Sequence, residues 1–142
     1  MTQTTSTVNP TTNTFTYQVS GTKPITAAIA LVGAASEQFK FSVLHSYDFF
    51  EILQTKGFPI ERKVHVFEIC RAPMASKMLT AFPGFATFMP CRIAVYEENG
   101  ETVVSTMNME PLLKMVEGNP ELFKEAAAMY QSIQSVMNAL LA

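Results

Sequence analysis

Arg92-Ile93-Ala94-Val95-Tyr96-Glu97-Glu98-Asn99-Gly100-Glu101-Thr102-Val103-Val104-Ser105-Thr106-Met107 reads as a β-hairpin. A two-residue type I′ turn needs positive φ at both central positions, and Asn99-Gly100 is the dipeptide that supplies it most readily. Strands are therefore expected over Arg92 to Glu97 and Thr102 to Met107. Upstream, Lys63 to Cys70 alternates: Val64, Val66, Glu68 and Cys70 share one face, while His65, Phe67 and Ile69 share the other, where His65 is expected to be solvent exposed. Set beside the hairpin as an antiparallel neighbour, this strand brings Cys70 and Cys91 to the same end of one sheet. They are the only two cysteines in the chain.

Working outward, Thr14 to Ser20 alternates Phe15, Tyr17 and Val19 with polar residues and predicts a first strand. Gly21 and Thr22 turn the chain, and Pro24 suits the first turn of a helix to about Gln38. A second strand is read over Phe39 to Tyr47, with Phe41, Val43, His45 and Tyr47 on one face. Asp48 with Glu51 makes a capping-box pattern for a short helix that stops at Gly57. Pro73 starts a helix carrying Met74, Met78 and Leu79, ending before Pro83-Gly84. After the hairpin, Asn108 and Pro111 open a short helix and Gly118 ends it. Asn119 then caps a long helix with Pro120 at its first position. The order β-α-β-α-β-α-β-β-α-α predicts an α+β fold, a mostly antiparallel sheet with helices packed on one face. Residues 1–13 lack hydrophobic periodicity and are expected to form a flexible tail ahead of a single domain over 14–142.

At 142 residues the chain suits one domain with its own core. Hydrophobic residues make up 48% and charged residues only 15%, an apolar surplus that a second copy of the chain would cover, so a homodimer is expected. The net charge of −2 offers no electrostatic footprint for nucleic acid. The most apolar stretch, Ile25 to Ala35, is too short to span a bilayer. Read with Met1 as the natural start, the N-terminus has no basic or apolar leader region, which predicts a cytoplasmic protein with reduced thiols. No phosphate loop, nucleophile elbow, paired catalytic carboxylates or HExxH run is present.

Two thiols and an imidazole, Cys70, Cys91 and His45, make a donor set for zinc, copper or haem iron. The bland reading is that both cysteines are small buried residues and His45 a satisfied rim residue. A third reading is a redox dithiol, since Cys70 precedes a helix and neighbours Arg71, both of which favour a thiolate. Glu68 is the anomalous charge on its strand face. Pairing with Arg92 explains it better than catalysis, and Arg92 also suits an anionic ligand. Tyr47 and Asp48 stand where they can orient His45, although helix capping already accounts for Asp48. The run Phe82-Pro83-Gly84-Phe85-Ala86-Thr87-Phe88-Met89 is aromatic and uncharged. With Phe85 and Phe88 it either roofs a pocket beside the thiols or plugs the core or a dimer interface. The nine methionines read as packing before they read as copper ligands.

The runs Val43-Leu44-His45 with Asp48, Val66-Phe67-Glu68-Ile69-Cys70 with Pro73, and Pro90-Cys91-Arg92-Ile93-Ala94-Val95-Tyr96-Glu97 resemble the Domain of Unknown Function 302 family. The resemblance runs from about Phe15 to the end. It implies a fold similar to the TATA-binding protein, β-α-β(4)-α, that tends to dimerise, and it brings no established activity. Many members of the shorter branch carry a second histidine two positions after the first, where this chain has Tyr47. The position after the first cysteine is usually Asn, where this chain has Arg71.

The expectation is a small ligand- or metal-binding protein with a pocket at the sheet end formed by Cys70, Cys91 and His45, with Glu68, Arg71, Arg92, Tyr47, Phe85 and Phe88 around it. The alternatives are a thiol-based redox or sulfur-carrying protein using Cys70 or Cys91, and a purely structural dimer with buried cysteines.

Overall fold

The computed structural model describes residues 8–142. In chain order the elements are β1 (Asn9–Thr12), β2 (Thr16–Gly21), α1 (Ile25–Gln38), β3 (Ser42–Asp48), α2 (Phe49–Thr55) and β4 (Val64–Cys70). There follow α3 (Ala72–Ala81), a 3-10 helix (Pro83–Phe88), β5 (Cys91–Glu98), β6 (Glu101–Met107), α4 (Glu110–Met115) and α5 (Pro120–Leu141). The strands form one antiparallel sheet in the order β1-β2-β6-β5-β4-β3. The expected α+β architecture is the observed one.

The β5–β6 hairpin lies near the centre of this sheet. Asn99 and Gly100 have φ of 53° and 77°, the left-handed values its turn requires. Register then assigns the faces. Ile69 stands opposite Cys91, Phe67 opposite Ile93, His65 opposite Val95, Val95 opposite Val104, and Val104 opposite Val19. These positions look toward the helices, and Ile69, Ile93, Val95, Val104 and Val19 are fully buried. Helices α1 and α5 pack on each other and on the sheet. They contribute Ala28 and Val32 from α1, and Ala126, Ile133, Val136, Met137 and Leu140 from α5. Such i, i+3, i+4 and i+7 spacing is what gives α5 its apolar face. Its N-cap is Asn119, whose Oδ1 accepts from the Leu122 amide at 3.2 Å.

Four differences from the sequence reading have local causes. Residues 9–12, expected within a tail, form edge strand β1. Asn13 Oδ1 accepts from the amides of Phe15 and Thr16, both at 2.8 Å, which closes the turn that folds β1 onto β2. Residues 1–7 of the expected tail lie outside the described residues. The second strand starts at Ser42 rather than Phe39, because α1 ends in a Schellman-type cap. The Lys40 amide donates to Glu37 O and the Phe41 amide to Ser36 O, with Lys40 at φ 68° where glycine is usual.

A β-bulge between Val43 and His45 then breaks the alternation. Val43 stands opposite Ile69 on the helix side, while His45 and Tyr47 stand opposite Glu68 and Val66 on the uncovered side. His65, read as solvent exposed, is on the helix side and half-buried. Its ring stacks on Phe67 with centroids 4.5 Å apart, and burial lowers its pKa against the opposing pull of Asp48.

Among the described residues no helix is long and apolar enough to cross a membrane.

Candidate functional site

The end of the sheet where β4 stops and β5 begins carries a partly enclosed cavity of about 60 Å³. Its floor is Ile69 and Cys91 on the helix side of the two strands. Its walls are α3, α4 and α5, through Met74, Ala75, Met78, Leu112 and Met129. The roof is the 3-10 helix with the segment after it: Phe85 and Phe88 pack edge to face at 6.1 Å, and Met89 precedes Pro90 across a cis peptide bond. Met107 and Met109, at the exit of β6, complete the wall. Six of the nine methionines and both cysteines therefore border one space.

Both cysteines are free. Cys91 faces the core beside Ile69, and burial pushes its thiol up to about 11; proximity to Cys70 adds to the rise, and Arg92 opposes it. A group this far from its ordinary 9.0 keeps its proton at neutral pH, so Cys91 is a neutral, weakly nucleophilic thiol there. Cys70, one residue beyond Ile69, stands opposite Ser42 on the uncovered face, although it too borders the cavity. Strand alternation assigns the two residues to opposite faces of the sheet, yet at the strand ends both border the same cavity, and Cys70 lies near enough to raise the Cys91 pKa.

The rim holds two cations. Arg71, at the N-cap of α3, donates from a guanidinium nitrogen to Phe39 O at 2.6 Å and lies 4.4 Å over the Phe41 ring. Burial lowers its pKa. Arg92 pairs with Glu68 at 3.5 Å, the partnership that the anomalous carboxylate predicted.

The other expected residues belong to a separate polar patch on the uncovered face. Tyr47 donates from its hydroxyl to Glu68 at 3.0 Å, and its ring stacks on the exposed His45 at 5.7 Å. The Glu68 hydrogen bond is the main cause of a raised Tyr47 pKa. The nine residues of the expected pocket thus divide. Cys70, Cys91, Arg71, Phe85 and Phe88 border the cavity; His45, Tyr47 and Glu68 do not; Arg92 reaches both. The expected metal donors Cys70, Cys91 and His45 do not converge. Among the described residues no group of three or more His, Cys, Asp or Glu side chains is placed to hold a metal ion. What sequence reasoning missed is the methionine wall. Its signal was present: Met74 and Met78 lie one turn apart on α3, and Met89, Met107 and Met109 flank the strand ends next to Cys91.

This geometry defines a class: an α+β protein with a six-stranded antiparallel sheet, helices on one face, and an apolar, sulfur-rich cavity at one sheet end. Within that class the chain belongs to the family described as Domain of unknown function DUF302, which matches residues 15–140. It is similar to a solved structure described as an uncharacterized conserved protein DUF302 from Bacillus stearothermophilus. The two share 25% identity with a TM-score of 0.78, over 92% of this chain and 100% of the other. No curated protein matches the chain.

Proposed function

We propose that this chain is a small-ligand-binding protein whose site is the cavity at the cysteine end of the sheet. The observation that carries the reading is the cavity itself: a partly enclosed, mostly apolar space of about 60 Å³ set against the core, with one neutral thiol in its floor and two arginines at its rim. Protein interiors leave few voids of this size. An apolar void is dry and takes up apolar atoms readily. Its walls suit entry, because unbranched methionine side chains re-pack around a guest at low cost. The size selects the guest. The space holds a few heavy atoms, and a haem requires the 3-10 roof to lift away. The high pKa of Cys91 counts against its use as a redox nucleophile at neutral pH.

The binding unit in this reading is a homodimer. The sheet face away from the helices, where Val66 and Ala94 stand opposite each other and half-buried beside the Glu68–Arg92 pair, is the surface on which a second copy would pack. Light scattering that returns a monomer at micromolar concentration removes this element of the reading.

Xenon tests the cavity. In protein with methyl-labelled methionines, dissolved xenon is expected to shift the Met74, Met78 and Met129 methyl resonances. The shifts disappear in Ala75→Leu, which fills the space. Unchanged methyl resonances at saturating xenon would falsify the reading.

A further inference from the structure

We infer that the cavity is a soft-metal site, in which a single copper(I) ion is held by the Cys91 sulfur together with methionine thioethers from α3 and α5. This rests on the ligand-binding reading above and names the ligand class.

The donor set makes the selection. Among the described residues, those bordering the cavity include no histidine, aspartate or glutamate, so they offer none of the imidazole and carboxylate ligands that zinc, iron and manganese favour. What the wall presents is sulfur on several independent elements. Met74 and Met78 lie one turn apart on α3, Met129 borders the same space from α5, and Cys91 opens β5. All three methionines are buried. Thioether and thiol donors without nitrogen or oxygen select copper(I) among the biological metals.

Charge points the same way. A bare cation in an apolar space costs many kcal/mol, and so does a bare thiolate. Copper(I) and one thiolate sum to zero. On binding, the Cys91 S–H bond breaks, a copper–sulfur bond forms, and the proton leaves to solvent; no electron moves. The product is neutral, as its surroundings require. The rim arginines do not oppose it: Arg71 is engaged with Phe39 O and the Phe41 ring, and Arg92 with Glu68. A space of about 60 Å³ holds one ion without moving the roof.

The test is an anaerobic copper(I) titration of the full chain against a chromophoric copper(I) chelator, followed by copper X-ray absorption. One equivalent of copper is expected to resist the chelator, in a coordination of sulfur alone. Cys91→Ser is expected to lose about a hundredfold in affinity and Met129→Leu about tenfold. Met129→Leu conserves volume, and its melting curve confirms the fold. Copper bound through nitrogen or oxygen, or held equally by Cys91→Ser, overturns the inference. Where xenon enters the cavity but copper(I) is not retained, the soft-metal assignment falls and the ligand-binding reading stands. Where neither binds, both fall.

Discussion

Glu68 and Arg92 stand directly opposite each other on β4 and β5. Their side chains meet at 3.5 Å, while the second Glu68 oxygen accepts from Tyr47 on β3. One carboxylate thus ties three adjacent strands together on the uncovered face. Arg92 is more than half exposed, so the ion pair contributes no more than about 1 kcal/mol to stability. Its electrical effect on Tyr47 is the sharper readout. Glu68 raises the Tyr47 pKa by accepting its proton in a hydrogen bond and by its charge, whereas Arg92 lowers it. Glu68→Gln should therefore bring Tyr47 down toward its ordinary 10.0, and Arg92→Ala should drive it further up. Alkaline titration of the tyrosine resonances decides. Shifts of the same sign in both variants contradict the network.

Cys91 makes stability depend on pH in the alkaline range. Folded, the thiol holds its proton up to about pH 11; unfolded, it releases it near its ordinary 9.0. Between those values the native state binds more protons than the unfolded one, so stability falls as pH rises. The contribution is fully present below pH 9 and lost through pH 11, amounting to about 2–3 kcal/mol. Tyrosines titrate in the same window, so the measurement is the difference in unfolding free energy between the wild type and Cys91→Ala. That difference should shrink as pH rises. A difference that stays constant from pH 8 upward, within error, removes the buried-thiol account.

The elements that were legible are those whose signal is local. The Asn99-Gly100 turn, the Asp48 and Asn119 caps and the apolar face of α5 each follow from a few neighbouring residues. What escaped depends on partners distant in the chain or on conformations the residue types do not advertise. Lys40 adopts a glycine-like φ, and the Val43–His45 bulge moves His45 away from Cys91; nothing in the sequence marks either. Strand β1 needs β2 to exist at all. Period-two reading identified the shared face of Glu68 and Cys70 correctly. It could not show that Cys91, paired with Ile69, looks the other way. The methionine wall was hidden because each methionine alone is well explained as packing.

The turn itself makes a clean stability test. Gly100 sits at φ 77°, and a Cβ added there meets nothing within 4 Å. The cost of Gly100→Ala is therefore backbone strain alone, about 1 kcal/mol or somewhat more. Asn99→Ala, at φ 53°, should cost less than Gly100→Ala, since the left-handed helical region is tighter but open to side chains. Denaturant midpoints with unchanged slopes measure both. A neutral Gly100→Ala means the hairpin turn relaxes to another type at no cost.

Phe85 is the residue that sets the cavity's size. It is 5% exposed, lines the space from the 3-10 helix, and packs edge to face with both Phe82 and Phe88. Truncation to alanine removes those contacts and joins the volume of a phenyl ring to the existing cavity. Loss of a buried phenylalanine costs about 3–5 kcal/mol when the surroundings stay in place. The methionine wall can close part of the gap, which puts the expected cost near 3 kcal/mol. A domain of this length has enough stability to remain folded after such a loss. The enlarged space should then accept benzene, a guest with the shape of the ring removed, and benzene should raise the melting temperature of Phe85→Ala but not of the wild type. If benzene stabilises neither protein, the roof has collapsed and the 3-10 helix is not holding the cavity open. If it stabilises both equally, the wild-type roof already opens, and the closed volume does not limit what the site can hold.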